Sequence, residues 1–263
     1  MSAMGSSVNA KGHSVNAIGR FIPAVIPARG GSQRIPFKNL ARVGGHPLLA
    51  HTIVAARRAR LISDVYVSTD AEEIAMVAER YGAKVIERPT EIAGPMAASE
   101  SALLHAVETI EGNDGKVDLV VMLQATSPLR RDFRIDQAIG MAVDEGCDAV
   151  VSVTPVIDYY FLGDVDDHGR LSVSYDPKNR RRTQDIPPRY RENGAIYVMT
   201  RDLLFNEECR MGGDMRALVM DRNESIDIDD VIDLKLCNLL LARNPQLAPA
   251  PLDLEPSPAP LLN

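Results

Sequence analysis

Two stretches near opposite ends of the folded part of this chain carry residue types that could do chemistry. The first, "IPARGGSQRIPFKNL" (residues 26–40), leaves an apolar run and at once exposes Gly30 and Gly31 among cations of one sign, Arg29, Arg34 and Lys38. Adjacent glycines let a backbone approach a ligand and turn N–H groups towards it. A lysine ammonium is a mobile point charge that suits a phosphate in motion. Together they predict a polyphosphate cradle. Two better-known phosphate loops are absent: "GNDGKV" lacks both the spacing and the hydroxyl of GxxxxGK[ST], and no GxGxxG follows the first strand. The alternative is a solvated basic loop whose glycines serve only the turn.

The second stretch is "ESIDIDDVIDL" (224–234). Asp227 and Asp229 stand two apart, so in extended chain their carboxylates face one way. Paired hard oxygens at a strand end suit Mg²⁺, which binds through one or two carboxylates and its substrate's phosphates. The alternative makes Asp229 or Asp230 the N-cap of the following helix, with Asp233 a first-turn charge. A basic glycine loop and a distant acidic pair describe metal-assisted chemistry on a nucleoside triphosphate.

The elements that must position these residues alternate. "FIPAVIP" (21–27), "DVYVSTD" (64–70), "KVIERP", "DLVVMLQAT" (118–126) and "DAVVSVTPV" (148–156) read as strands. Between them, "PLLAHTIVAARRA" (47–59), "AEEIAMVAERYG" (71–82), "ASESALLHAVETI" (98–110) and "RIDQAIGMAVDEG" read as helices. The first helix is expected to bury one face, Leu48, Leu49, Thr52, Ile53 and Ala56. Strands apolar on both faces, alternating with helices, predict an α/β fold with a mostly parallel sheet covered by helices. In such a sheet ligands sit at the carboxyl ends of the strands, where the basic loop begins. The rhythm breaks over 157–189, a polar excursion with a hairpin turn at "DDHG". It resumes with "NGAIYVMT", "ALVMD" and a last helix, "DVIDLKLCNLLLAR". The reading is a loose leader at 1–19, one domain at 20–244 containing the excursion, and a proline-rich disordered tail at 245–263.

Composition narrows the partners. The 263 residues hold 36 acids against 29 bases, a net charge of −7, which argues against a nucleic-acid binder. No apolar run is long enough to span a bilayer, and the N-terminus lacks the apolar core of a signal peptide. Cys147, Cys209 and Cys237 lie far apart without a CxxC pair, so neither a zinc site nor a disulfide framework is expected, and a cytoplasmic location is the simplest.

"IPARGGSQRIPFKNL", "STDAEEIAMVAERYGAKVIERP", "LQATSPLR", "RENGAIYVM" and "ESIDIDDVIDL" occur in the same order in the cytidylyltransferases that activate sialic and related nonulosonic acids. The chain resembles that family from about residue 22 to 240. The resemblance implies a Rossmann-like nucleotidyltransferase that uses CTP and Mg²⁺ to form a CMP-sugar from a nine-carbon 2-keto acid, releasing pyrophosphate. It implies catalytic roles for Arg29, Lys38 and Asp229, and a nucleotide site of Arg29, Gly30, Gly31, Ser32, Gln33, Lys38, Asn39, Arg88 and Ser99. It further implies a sugar site of Gln124, Arg182, Arg191, Asn193 and Tyr197, a metal pair of Asp227 and Asp229, and a homodimer made through the 157–189 excursion. Framework alternatives stand beside several: Arg88 as a strand-end cation, Ser99 as an N-cap, Arg191 as a brace, Tyr197 as core, Asn193 as a turn residue.

Three departures fall on ligand-facing loops. Gln33 stands where many relatives have Lys, Pro95 replaces an acid, and "VIDYYFLG" lacks a Lys-containing pattern of sialic acid pockets. They suggest a non-standard sugar acid. Activation of an eight-carbon octulosonate and a catalytically silent binding protein are the rival expectations.

Overall fold

The computed structural model describes residues 7–8, 14–16, 18–32, 34–94, 96–156 and 158–247; Gln33 and Pro95 lie outside them. A seven-stranded sheet is built from β1 (Ala24–Pro27), β2 (Val65–Thr69), β3 (Lys84–Glu87), β4 (Leu119–Met122), β5 (Ala149–Val156), β6 (Arg189–Thr200) and β7 (Met215–Val219). Their spatial order is β7-β5-β6-β4-β1-β2-β3. All neighbours are parallel except β6, which runs antiparallel to both β4 and β5. The chain reaches β6 from the excursion rather than through a crossover helix, and that return reverses its direction. Two apolar clusters cover the two faces of the sheet. Strand order reverses between β1 and β4, so their carboxyl ends open a crevice.

The helices are α1 (Leu48–Arg58), α2 (Glu72–Arg80), α3 (Ser99–Asn113), α4 (Asp132–Glu145), α5 (Arg201–Glu207) and α6 (Val231–Arg243). Helix α1 departs from the one-faced expectation, because every residue from Leu48 to Ala56 is buried. It is enclosed by β1, α2, α4 and the 3₁₀ turn Lys38–Leu40, so no face is left for solvent. His51 is buried with it, its Nε2 2.7 Å from the Val43 carbonyl, and burial lowers its pKa from 6.5 to about 4. The sign follows: the unfolded chain takes up the proton first, so stability falls as pH drops below about 6.5. The loss should be complete below about pH 4 and amount to about 3 kcal/mol. His51→Gln, which keeps a donor but cannot titrate, is expected to flatten this part of the urea-denaturation pH profile.

Helix α6 starts on a capping box, with Asp230 accepting from the N–H groups of Ile232 and Asp233. This assigns the cap to Asp230 and leaves Asp229 outside the helix. A third cluster, including Ile35, Val43, Leu48, Ile228 and Leu241, ties α6 to the segment following the basic loop. Over the excursion, Gly163–Val165 pairs with Leu171–Val173 across the expected turn.

Ser7–Val8 pairs with Ser14–Val15, and buried Asn16 donates to the Leu61 carbonyl at 2.6 Å. Pro245–Leu247 form a 3₁₀ turn with Leu247 against the third cluster. The rest of the proline-rich tail lies outside the described residues.

Candidate active site

The basic loop leaves β1 at the crevice and lines a cavity of about 270 Å³ with Arg29, Ser32, Arg34, Lys38, Asn39, Thr126 and Asp229. Its cations are not loose. Lys38 Nζ donates to the Ile228 carbonyl at 2.8 Å and lies 3.5 Å from Asp229. Arg34 pairs with Asp229 at 3.2 Å, and Arg29 donates to the Gly94 carbonyl at 2.9 Å. The Asn39 amide donates to the Arg29 carbonyl at 3.1 Å, bracing the loop from inside.

Gly30 has a different reason from the one expected. Its N–H goes to the Asp70 carboxylate at 2.9 Å, and an added Cβ would stand 2.9 Å from that of Ala71. Packing against the start of α2 therefore demands this glycine. Gly31 meets nothing within 4 Å and leaves that part of the loop open.

Across the crevice, Asp227 and Asp229 share a second cavity of about 320 Å³ with Ser99, Gln124 and Thr126. The segment is held because Ile228 N–H donates to the Thr126 carbonyl at 2.8 Å. Asp227 Oδ1 is buried without a hydrogen-bond partner. Burial raises the Asp227 pKa; a Thr126 hydrogen bond opposes this, and the charge of Asp229 adds to it. An orphaned carboxylate oxygen beside a half-exposed aspartate fits a divalent cation. No group of three or more His, Cys, Asp or Glu able to hold a metal occurs among the described residues.

The third cavity, about 230 Å³, is lined by Gln124, Arg191, Glu192, Asn193, Gly194, Tyr197, Ser225 and Asp227. Pairing of β6 with β5 shifts register between Glu192 and Tyr197, and this bulge re-aims side chains at the crevice. Tyr197 donates to Glu192 at 3.0 Å, and burial pushes its pKa up to about 12, so it stays a donor. Arg210 covers the Tyr197 ring and pairs with Glu100.

Asn193 corrects the sequence reading. Its Oδ1 accepts from Ser152 Oγ and Ala195 N–H, and its Nδ2 donates to Ser225 Oγ at 2.9 Å. The amide is committed to the protein, so Asn193 builds the wall rather than offering free groups to a ligand. Gly194, at φ +72°, presses on Gln124: an added Cβ would stand 2.5 Å from Gln124 Oε1. Gly194→Ala is expected to cost about 1–3 kcal/mol in urea denaturation and to displace Gln124. Unchanged stability would remove the close-packing argument.

Arg88 is buried at the end of β3, donating to Ser68 Oγ at 3.1 Å and the Ser68 carbonyl at 2.7 Å. Burial lowers its pKa, Asp70 opposes this, and Arg29 adds to it. Ser99 is the first residue of α3, whose N-cap is Ala98, so Ser99 is not a cap; it lines the middle cavity. Arg182 is not brought to the site within one chain. It sits on the excursion, exposed and paired with Asp185 at 2.7 Å, and lines none of the three cavities. Sequence reasoning missed Thr126, Glu192 and Ser225. Only the position of Thr126 beside Gln124 in "LQATSPLR" and of Glu192 in "RENGAIY" hinted at them.

Asp229 is common to the first two cavities, and Asp227 and Gln124 to the last two, so the acidic pair joins a basic compartment to a polar one. A Rossmann-like sheet carrying this arrangement at its switch point defines a nucleotidyltransferase. Residues 23–243 match the family described as cytidylyltransferase, and the chain belongs to that family. It is 34% identical over 229 residues to the CMP-N,N'-diacetyllegionaminic acid synthase of Legionella pneumophila, covering 85% of this chain and 97% of that one. It is 30% identical over 230 residues to the pseudaminic acid cytidylyltransferase of Campylobacter jejuni, covering 85% and 97%. With the N-acylneuraminate cytidylyltransferase of Escherichia coli it shares 33% over 220 residues, 82% of this chain but only 51% of that one. The solved structure of CMP:2-keto-3-deoxy-manno-octonic acid synthetase complexed with CTP has the same fold, with TM-score 0.64 and 21% identity over 85% of this chain and 99% of that one.

Proposed function

We propose that this cytidylyltransferase transfers CMP from CTP to the anomeric hydroxyl of a nonulosonic acid. The observation that carries the reading is the junction itself: Asp227 and Asp229 stand between the loop cations and the Gln124–Arg191–Tyr197 wall. Arg29, Arg34 and Lys38 would neutralise the triphosphate, releasing Asp229 from its ion pairs with Arg34 and Lys38. The anomeric hydroxyl gives its proton to solvent as its oxygen forms a bond to the α-phosphorus, the bond from that phosphorus to the bridging oxygen breaks, and pyrophosphate leaves with the electron pair. Asp227 and Asp229 would hold Mg²⁺, which when bound offsets phosphate charge. Arg88 and Ser99 would border the cytidine, while Gln124, Arg191 and Tyr197 would orient the sugar acid against the α-phosphate. The homologues named for legionaminic, pseudaminic and neuraminic acids support a nine-carbon acid over an octulosonate.

A homodimer belongs to the same reading. The excursion exposes Leu162, Val165 and Leu171, at 60%, 66% and 65%, and a partner's excursion would bring the partner's copy of the Arg182 segment near this site. Light scattering on the purified chain tests it. The cytoplasm supplies CTP and suits a chain whose Cys147, Cys209 and Cys237 are all free. No helix among the described residues is long and apolar enough to cross a membrane.

The test is pyrophosphate release with Mg²⁺, each of the four nucleoside triphosphates, and a panel of neuraminic, legionaminic, pseudaminic and octulosonic acids. Turnover with CTP and a nonulosonic acid alone is expected. Turnover with the octulosonate alone would select the eight-carbon reading. CTP binding in calorimetry with no turnover on any acid would favour a silent binder.

A further inference from the structure

Arg130 is 1% exposed and one of the largest fully buried side chains. A buried guanidinium is ordinarily matched by a carboxylate. Among the described residues none pairs with Arg130, and burial alone pulls its pKa down to about 9. Its Nε and Nη2 are buried with no hydrogen-bond partner, and Ser127 Oγ nearby in the chain is equally orphaned. All its bonding is concentrated in one nitrogen. Nη1 donates to the Ala195 carbonyl at 2.7 Å and to the Gln124 carbonyl at 3.2 Å.

Those two acceptors explain why the cation is tolerated. Gln124 lies just past the end of β4, and Ala195 lies in the bulge of β6 where pairing with β5 is interrupted. The strand pairing of β6 with β4 begins only at Tyr197↔Met122, so no sheet ladder ties these two points together. The Gln124 carbonyl also accepts from Thr52 Oγ1 of α1 at 3.3 Å. Directly above, the Gln124 side chain lies over Gly194, and both line the third cavity.

We infer that Arg130 is a positioning residue for the sugar acid: one buried guanidinium nitrogen clamps the Gln124 and Ala195 carbonyls and so sets the spacing of the Gln124–Gly194 wall. The proposal rests on the nonulosonate reading for the identity of the substrate, but its geometric part does not. A long apolar side chain of similar volume would remove the buried charge and keep the packing, so loss of function without loss of fold is the signature of a positioning role.

The test compares Arg130→Met and Arg130→Lys with the parent. Arg130→Met is expected to raise the KM for the sugar acid at least tenfold while the KM for CTP moves less than twofold, with Arg130→Lys in between. Equal rises in both KM values, tracking a fall in Tm, would reduce Arg130 to a general stabiliser and overturn the inference. A readout independent of turnover is hydrogen–deuterium exchange of the free protein. Faster exchange over 189–200 with unchanged exchange over 26–40 is expected for Arg130→Met. Unchanged exchange over 189–200 would overturn the proposal whatever the activity. If Arg130→Met does not fold, the same comparison with Arg130→Lys, which keeps the charge but whose side chain ends a bond short of the Nη1 position, decides it. A parent inactive on every acid, but with the expected exchange pattern in the variants, would reject the substrate reading and leave the clamp standing.

Discussion

Asp227→Asn is expected to lower kcat by about a thousandfold or more, about 4 kcal/mol of transition-state stabilisation, while leaving the protein at least as stable as the parent. The two halves have one cause. Asp227 is half-buried with its Oδ1 buried and unpartnered, and burial raises its pKa above 3.8. For an acid whose folded value is raised, the unfolded chain releases its proton first. Native stability therefore falls as pH rises from about 3.8 through the folded value, and the full penalty persists above it. An amide of the same shape carries no such penalty. Thermal melts of the metal-free proteins at pH 7 should place the variant level with or above the parent. Mg²⁺ with CTP should then raise the Tm of the parent and have little effect on the variant. A variant that loses both stability and activity would make Asp227 a structural residue.

Lys38→Ala is expected to reduce kcat/KM for CTP by about a hundredfold to a thousandfold, on the scale of removing one transition-state donor. Lys38 is the cation best placed to act on both sides of the crevice. It comes from the loop yet donates to the Ile228 carbonyl, next to Asp229, with its side chain only 15% exposed. Arg34, at 67%, is screened by solvent, so Arg34→Ala should cost much less. Lys38→Arg should recover only part of the loss, because a planar fork cannot follow a moving phosphate as an ammonium can. Steady-state kinetics in CTP at saturating sugar acid checks the order Lys38→Ala, Lys38→Arg, Arg34→Ala. A dominant Arg34 effect would shift the phosphate site towards solvent.

Both large predictions concern residues that sequence alone could single out, and the reason is local. The basic loop and the acidic segment are each contiguous, so chain spacing carries most of their geometry. The cap assignment was also within reach, because Asp230 and Asp233 stand at capping-box spacing. What stayed hidden depends on what packs from elsewhere. The alternation of apolar strands and helices is blind to strand direction, so antiparallel β6 emerges only from the sheet. Periodicity marks one face of α1, but α2, α4 and the 3₁₀ turn Lys38–Leu40 bury the rest. The commitment of Asn193 and the burial of Arg130 stay hidden for the same reason. Nothing in "RENGAIY" says that an amide is spent on Ser152 and Ser225, and nothing in "SPLRRD" says which arginine is buried. Burial and pairing are properties of the assembled sheet.

The most direct measurement is ³¹P NMR of the purified chain with CTP, Mg²⁺ and the nonulosonic acid that gives the fastest pyrophosphate release. The account requires one new CMP-ester resonance growing in step with one equivalent of pyrophosphate, and no signal from free CMP. Accumulation of CMP and pyrophosphate without the ester would mean that water, not the sugar's anomeric oxygen, is the nucleophile. No change at all, with CTP bound, would contradict the transferase assignment of the junction between the loop cations and the Gln124–Arg191–Tyr197 wall.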